Sequence, residues 1–481
     1  MLSELVKNEL KRIVGTANAA FAREELLCYS YDATNTLYPP DAVVFVKSAE
    51  EVSLILKMAN SEGFPVIPRG AGSGFSGGSL PVEGGVVIST ERMNGIIEID
   101  TENLTAVVEP GVVLWEFQQE VEKKGLFYPP DPSSLRFSTL GGNIAECAGG
   151  PRAVKYGVTK DYVLGLEVVL PTGEIINTGV RTAKGVVGYD LTKLMVGSEG
   201  TLGVVTKATL KLVPLPEATR TLLAVFPDLK DAATAVSGII KAKVIPSTLE
   251  LIDGVSLKCV EEYAKAGLPE AEAVLLIEVD GSREGVVKDS EVVERICMEY
   301  GAQSVKSATG KDEVRDLWKA RRAISASLFR VKPNKINEDV VVPRASIPEL
   351  IGGVREIADR LNLTIACFGH AGDGNIHVNV MYDKTNPCEA KAAEDAVTEV
   401  FKLTVELKGT ISGEHGVGVS KARYLSLELK PEAIEAMKRI KAAFDPNGIL
   451  NPGKIFPKKA AEEGAYMVGA EAASGVPATG L

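Results

Sequence analysis

The sequence predicts an α+β protein of two large domains or three smaller ones. Three observations carry that prediction. The chain has 481 residues, 45% hydrophobic and 24% charged, which is ordinary globular composition with enough apolar material for more than one core. Its first half mixes short β-rich runs, glycine loops and helical patterns without strict alternation. After the proline-marked stretch VPLPEATR (213–220) the pattern changes to repeated β–α–β units.

In order along the chain, MLSELVKNELKRIVG reads as a short amphipathic helix of mixed charge. It lacks the apolar core and cleavage site of a signal peptide. DAVVFVKS, FPVIPRG, GGVVIST, GIIEID, LTAVVEPG, LGLEVVLPTG and GVVTKATLKLVPL read as strands bounded by turn residues. SAEEVSLILKMANSEG reads as a helix with a serine cap, an acidic first turn and a glycine stop, and VLWEFQQEVEKKG is given the same grammar. Beyond 220, RTLLAVFP, DLKDAATAVSGIIKAK and STLELIDG form one β–α–β unit. AEAVLLIEVDG, REGVVKDSEVVERICMEYG and AQSVKSA repeat it, which predicts a ferredoxin-like antiparallel sheet covered by helices. KINEDVVVP, LTIACFGH and NIHVNVMYD extend that sheet. PEAIEAMKRIKAAFDPNG is a last helix with a proline start and a glycine stop. The small-residue stretch at 458–481 is expected to be mobile.

The net charge of −11 removes the basic face that a nucleic-acid partner needs. No run of 18 apolar residues is present, so no transmembrane segment is expected. The six cysteines lie far apart with no CxxC, which excludes a zinc ribbon, an iron–sulfur cluster and a disulfide scaffold and fits a cytoplasmic location.

PVIPRGAGSGFSGGSLPVEGGVVIST (65–90) is the loudest local signal. Gly72, Gly74 and Gly77 match GxGxxG after a strand, but no helix fits before the next strand, so the Rossmann reading fails and Glu91 is a decoy for its ribose acid. No Gly-Lys-Ser/Thr follows either. What remains is a loop of inward-pointing amides, Pro68, Arg69, Gly70, Ala71, Gly72, Ser73, Gly74, Gly77 and Gly78, suited to pyrophosphate oxygens. Arg69 either adds charge there or faces solvent. A second loop, 129–165, carries small residues against which a flat ring can lie, among them Ser138, Thr139, Gly142, Asn143, Gly149 and Gly150. GSEGTLGVVT (197–206) offers a third close approach.

The three histidines of the chain fall in two glycine-flanked segments, GHAGDGNIHVNV (369–380) and SGEHGVG (412–418). His370 ends one strand and His377 begins the next, so the two face each other across a hairpin mouth, with Asn379 on the same face as His377. Glu414 arrives from the other loop. Two imidazoles and a carboxylate with open positions fit a catalytic divalent metal, Zn²⁺ first, with Fe²⁺ and Mn²⁺ using the same ligand set. A hydrogen-bonded cluster without metal is the alternative. His415 is either a general base or a hydrogen-bond partner of a ligand. In LWKARRAISASLF (317–329), Arg321 and Ser325 share a helix face, and the guanidinium fork suits a carboxylate; Arg322 points about 100° away and reads as a surface charge.

In order and spacing these segments resemble the FAD-dependent D-2-hydroxyacid dehydrogenases of the vanillyl-alcohol oxidase / p-cresol methylhydroxylase superfamily. That group includes D-lactate and D-2-hydroxyglutarate dehydrogenases and the flavin subunit of glycolate oxidase. The resemblance covers roughly 20–457. It implies a p-cresol-methylhydroxylase-type FAD-binding domain (1–215), a ferredoxin-like substrate or cap domain (216–440) and a segment, 441–457, that returns to the FAD domain. It implies that 68–78 hold the FAD pyrophosphate. Pro130, Ser138, Thr139, Gly142, Asn143, Gly149, Gly150, Glu199, Gly200, Gly203 and Val204 would enclose flavin and adenosine, with Asn451 and Lys454 as flavin neighbours. Some relatives tether flavin through a loop histidine; this loop has none, so the FAD is expected to be noncovalent, and Cys147 reads as a small buried thiol. The GHxGDGNxHxN and EHGxG patterns of the metal-dependent members are complete here. Arg321 falls on the family's LWxxR arginine and Lys335 on a lysine that meets substrate, one residue off in spacing. The implied reaction takes a small D-2-hydroxyacid, D-lactate or glycolate, to the 2-oxoacid. Reduced FAD would then pass electrons to a partner protein, an iron–sulfur subunit or an electron-transfer flavoprotein, through which the chain could meet a membrane peripherally. The rival readings are the flavin subunit of a multi-subunit glycolate oxidase, an alditol or aryl-alcohol oxidase, and a non-catalytic electron-relay subunit.

Overall fold

A computed structural model describes residues 2–456 apart from Ala183 and Ala266. The tail at 458–481, expected to be mobile, lies outside the described residues. Three main sheets organise the chain. The first has four strands in the order 19–20, 42–45, 86–89, 66–69. Ala42–Phe45 and Val66–Arg69 both run parallel to Val86–Ser89. The parallel link requires a crossover, and the helix Ala49–Glu62 supplies it. Its Ser48 hydroxyl accepts from the Glu51 amide, its stop is Gly63 at φ 73°, and it buries Val52, Ile55, Leu56 and Ala59 on one stripe. The C-terminal segment closes this sheet: Val66 donates to the Ile449 carbonyl and Asn451 to the Val66 carbonyl, both at 2.8 Å.

The second sheet is antiparallel throughout, in the order 96–100, 105–108, 204–211, 163–169, 175–179. The helix Leu114–Glu122 packs against it but departs from the cap grammar expected of it. Val113 precedes the helix and has no side-chain acceptor. The Leu114 and Trp115 amides go instead to the carbonyls of Ser138 and Leu135, at 3.0 and 2.9 Å. A neighbouring turn thus satisfies the helix start that serine satisfies elsewhere.

The third sheet has seven antiparallel strands in the order 304–307, 218–226, 273–281, 248–253, 364–369, 375–382, 334–341. The helices Leu229–Lys241, Arg283–Glu299, Ile347–Leu361 and Pro387–Glu406 bury one face of it. The helices Gly254–Ala264 and Lys311–Ser327 cover part of the other. What is left of that second face looks toward the glycine loops. Register fixes what it presents: Phe368, His377 and Asp339 form one cross-strand row, and Ala366, Asn379 and Asn337 the next. Among the described residues no helix is long and apolar enough to cross a membrane.

Candidate active site

The hairpin of Thr364–Gly369 and Asn375–Tyr382 places His370 at its mouth and His377 one strand over, both buried. Their Nε2 atoms face each other at 3.4 Å. Glu414 Oε1 lies 3.3 Å from His370 Nε2 and 3.6 Å from His377 Nε2. A tetrahedral ion with bonds of about 2.0–2.1 Å spaces its ligands by roughly 3.3–3.4 Å, so these three atoms are spaced like a ligand set. Glu414 Oε2 and His377 Nδ1 are buried without a partner, polar capacity that an apolar-lined site would not leave unspent.

Glu250, on the strand Thr248–Asp253, was not picked out from sequence, yet it holds the cluster. Its Oε1 accepts from His370 Nδ1 at 2.5 Å, and its Oε2 accepts from Arg321 Nε at 2.5 Å. Burial alone would raise its carboxyl; the charges of Arg321 and His370 overcome this and hold it at about 2. Burial also disfavours a charged His370, but the carboxylates of Glu250 and Glu414 raise it well above the usual imidazole range. Burial and the neighbouring His370 push His377 down to about 3. A cation held by His370, His377 and Glu414 would neutralise the same carboxylates and compete with protonation of His370.

Asp339 is the second anchor that sequence reasoning missed. Its Oδ2 accepts the successive amides of Gly413, Glu414 and His415, each at 2.9 Å, which fixes the loop that carries Glu414. Asp339, His377 and His415 are also close enough to suggest a ligand set. That carboxylate is fully committed to amides, with the buried Lys421 ammonium 3.8 Å away, so the set with His370 and Glu414 is the better one. The His415 ring is sandwiched between Phe75, at 5.1 Å, and His377, at 5.4 Å. Burial pushes it below the ordinary imidazole range, with Asp339 pulling the other way, and a neutral ring is the form that accepts a proton.

One cavity joins this cluster to the glycine loops. Pro68, Arg69, Gly70, Ala71, Gly72, Ser73, Gly74 and Gly78 line it from one side. Ser138, Thr139, Gly142, Asn143, Glu199, Gly200, Gly203 and Val204 line it from another, and Arg321, Asn337, Phe368, His377, Glu414 and His415 close it. The buried Ser138 hydroxyl and Asn143 amide nitrogen have no protein partner, and both face a wall built of glycines, as a cradle for a large polar ring system requires. Arg69 is buried and wraps against Gly72, where a Cβ would collide with its guanidinium; it does not face solvent.

Six residues expected to touch cofactor, Lys454 among them, stand outside that lining. Gly77 packs on Val419. The Pro130 carbonyl accepts from Gln118, Gly150 abuts Asp131, and the Asn451 amide donates to the carbonyls of Gly78 and Glu199. Gly149 backs Glu414, whose Oε2 would lie 3.0 Å from a Cβ there. Each shapes the wall from behind, and small size or a backbone hydrogen bond is what it contributes. Glu199 does line the cavity, but its carboxylate turns to the amides of Val417 and Gly418, at 2.7 and 2.6 Å. Burial raises both Glu199 and its neighbour Glu146, Glu146 the further, because the amides of Val417 and Gly418 oppose the rise at Glu199.

Arg321 lies at the cavity with its guanidinium 4.7 Å over Phe368 and already engaged by Glu250. Lys335 stands behind the lining: its Nζ donates to the Ser325 carbonyl and hydroxyl, and burial lowers it to about 8. Lys454 donates to the Leu80 carbonyl. Arg322, read as a surface charge, is exposed and also lines the cavity, its guanidinium 5.5 Å over the Trp318 ring.

Solved structures share this architecture. p-Cresol methylhydroxylase with substrate bound superposes with a TM-score of 0.79 over 95% of this chain and 98% of that one, at 20% identity. Alkyldihydroxyacetonephosphate synthase gives a TM-score of 0.74 over 94% and 86%, at 22% identity. The fold is that of p-cresol methylhydroxylase. The sequence is specific beyond that fold. Residues 40–179 match the profile of the FAD binding domain, and residues 215–455 that of FAD linked oxidases, C-terminal domain. The chain is 51% identical to the glycolate oxidase subunit GlcD of Bacillus subtilis, over 96% of this chain and 98% of that protein. It is 38% identical to GlcD of Escherichia coli K12, over 92% and 90%. It is 37% identical to a D-lactate dehydrogenase of Anaerostipes hadrus, over 91% and 93%. The chain belongs to the FAD-linked oxidase family.

Proposed function

We propose that this protein oxidises a small D-2-hydroxyacid, D-lactate or glycolate first, to the 2-oxoacid. The observation that carries the proposal is the single cavity walled by the glycine loops on one side and by His377, Glu414, His415 and Arg321 on the other. Residues of 68–78, 138–143 and 198–204 would hold noncovalent FAD, which would supply the acceptor for the C2 hydride and its electron pair. A divalent cation, Zn²⁺ by preference, would be held by His370, His377 and Glu414 and would acidify the substrate hydroxyl. Arg321 and Arg322 offer positive charge to the carboxylate, and Lys335 fixes Ser325 on the same wall. His415, neutral and stacked, takes the hydroxyl proton on a ring nitrogen. Glu250 and Asp339 touch no reacting atom in this scheme; they orient His370 and the Glu414 loop.

The proposal includes a division into an FAD-binding unit (1–215), a cap unit (216–440) and a returning segment (441–457). It also places the chain in the cytoplasm as one subunit of a larger assembly, passing electrons to an iron–sulfur or electron-transfer protein and reaching a membrane only through that partner. The subunit names of the relatives and the absence of a cysteine cluster in the sequence support this part. Anaerobic mixing of the FAD-loaded protein with D-lactate, L-lactate, glycolate and a neutral diol, with and without chelator, tests the reading. The visible flavin absorbance should bleach with D-lactate or glycolate only, and chelator should prevent it. Bleaching by the diol, or bleaching indifferent to chelator, would overturn it.

A further inference from the structure

The loop that carries Glu414 and His415 is gripped from two sides. On the cap side Asp339 takes the amides of Gly413, Glu414 and His415. On the FAD side the next amides are taken in turn. Val417 donates to Glu199 Oε1 and Gly418 to Glu199 Oε2, at 2.7 and 2.6 Å. Val419 and Ser420 donate to the Ser76 carbonyl, at 2.8 and 3.1 Å. Gly416 is the hinge between the two grips: at φ 85° it is left-handed, and a Cβ there would stand 3.0 Å from Glu199 Oε1. Ser76 belongs to the glycine loop, and Glu199 to the GSEGTLG turn that lines the same cavity. Glu199 is itself pinned, its amide donating to the Ala145 carbonyl and its own carbonyl accepting from Asn451. Carboxylate hydrogen bonds to successive amides are short and strong enough to fix the path of a glycine-rich backbone.

We propose that Glu199 is a positioning residue, the FAD-side clamp that, opposite Asp339, sets Glu414 and His415 against the cavity. The role deepens the reading of the preceding section and rests on it for the identity of the ligands. Two carboxylates, one from each half of the molecule, divide a single run of backbone amides between them. The position of Glu414 relative to His370 and His377 therefore depends on how the two halves meet, and Glu199 transmits that register.

The test uses the full-length, FAD-loaded protein and its Glu199→Gln variant, with zinc chloride as the metal probe. Glutamine keeps the volume but turns one acceptor into a donor. Amide deuterium exchange at Val417 and Gly418 should speed up about tenfold or more, while exchange elsewhere, the FAD content and the melting midpoint stay as in wild type. Zinc affinity should fall about tenfold or more. A role confined to stability would shift the midpoint and leave zinc affinity alone. Unchanged exchange at those two amides overturns the clamp. So does unchanged zinc affinity in a protein whose wild type binds zinc. A wild type that binds no zinc sinks the metal reading instead, and the exchange difference still decides the clamp. Should the variant lose FAD, Glu199→Asp, which keeps the charge and withdraws it by one methylene, replaces it with the same expected readouts. Loss of FAD from both variants also overturns the proposal, because a clamp on this loop alone leaves the flavin in place.

Discussion

Glu250 carries more of the site than its place in the sequence suggests. A carboxylate with no exposure, shared between an imidazole and a guanidinium, is tolerable only because both partners are present. It orients His370 Nδ1 and so points Nε2 at Glu414, and it also holds Arg321 over Phe368. Glu250→Gln is expected to retain FAD and to lose about ten- to a hundredfold in zinc affinity, as outer partners of ligating histidines do. A competition titration against a zinc-binding dye measures it; wild-type affinity in the variant would show that His370 needs no such partner. At this scale the sequence announces His370, His377 and Glu414, because rare imidazoles beside glycine turns have few bland explanations. It conceals Glu250 and Asp339. Both sit in apolar strand runs, STLELIDG and NEDVVVP, where nothing local marks a charge as an anchor rather than as the polar half of an alternating strand.

The edge strand Asn334–Val341 shows how one element serves two environments. Lys335, Asn337 and Asp339 alternate toward the site, while Ile336, Glu338 and Val340 face the other way. Glu338 is buried there, with Lys421 3.8 Å away, and burial raises its carboxyl to about 7, Lys421 opposing and Asp339 adding to the rise. In the unfolded chain the same carboxyl titrates near 4.5. Between those values the folded protein holds a proton that the unfolded chain has released, so stability falls as pH rises through that window. Glu338→Gln removes the titration. Its melting midpoint should vary less than that of wild type between about pH 5 and about pH 7, and it should be no lower than wild type at about pH 8. A variant that keeps the wild-type slope would place the burden on another carboxyl. Helix starts divide in the same way between legible and hidden. Ser48 caps its helix as its sequence signature promises, whereas the helix at Leu114 starts on the carbonyls of Leu135 and Ser138, in a turn well downstream, which no local pattern encodes.

Across the whole molecule, glycine loops in the first half and histidines in the second acquire meaning through the cavity they share. The order of the motifs made both halves and the antiparallel third sheet readable. The parallel pairing in the first sheet left no local mark, and the docking of 449–451 on its edge strand joins residues hundreds of positions apart, so only the resemblance, and no local pattern, pointed to it. The seam between the halves is closed by polar contacts, Lys155 and Tyr156 to Asp280 and Glu199 to the Glu414 loop. A seam of that kind holds register as well as proximity, and the proposed chemistry depends on register.

Anaerobic rapid mixing of D-lactate or glycolate with the FAD-loaded His370→Ala variant tests most directly whether the two halves act on one carbon. The variant should carry FAD as wild type does, because His370 lies outside the glycine loops. Its flavin should be reduced about a hundredfold or more slowly, on the scale of losing one charge-stabilising group from an active site. Reduction at the wild-type rate would mean that the histidine cluster has no part in the reaction.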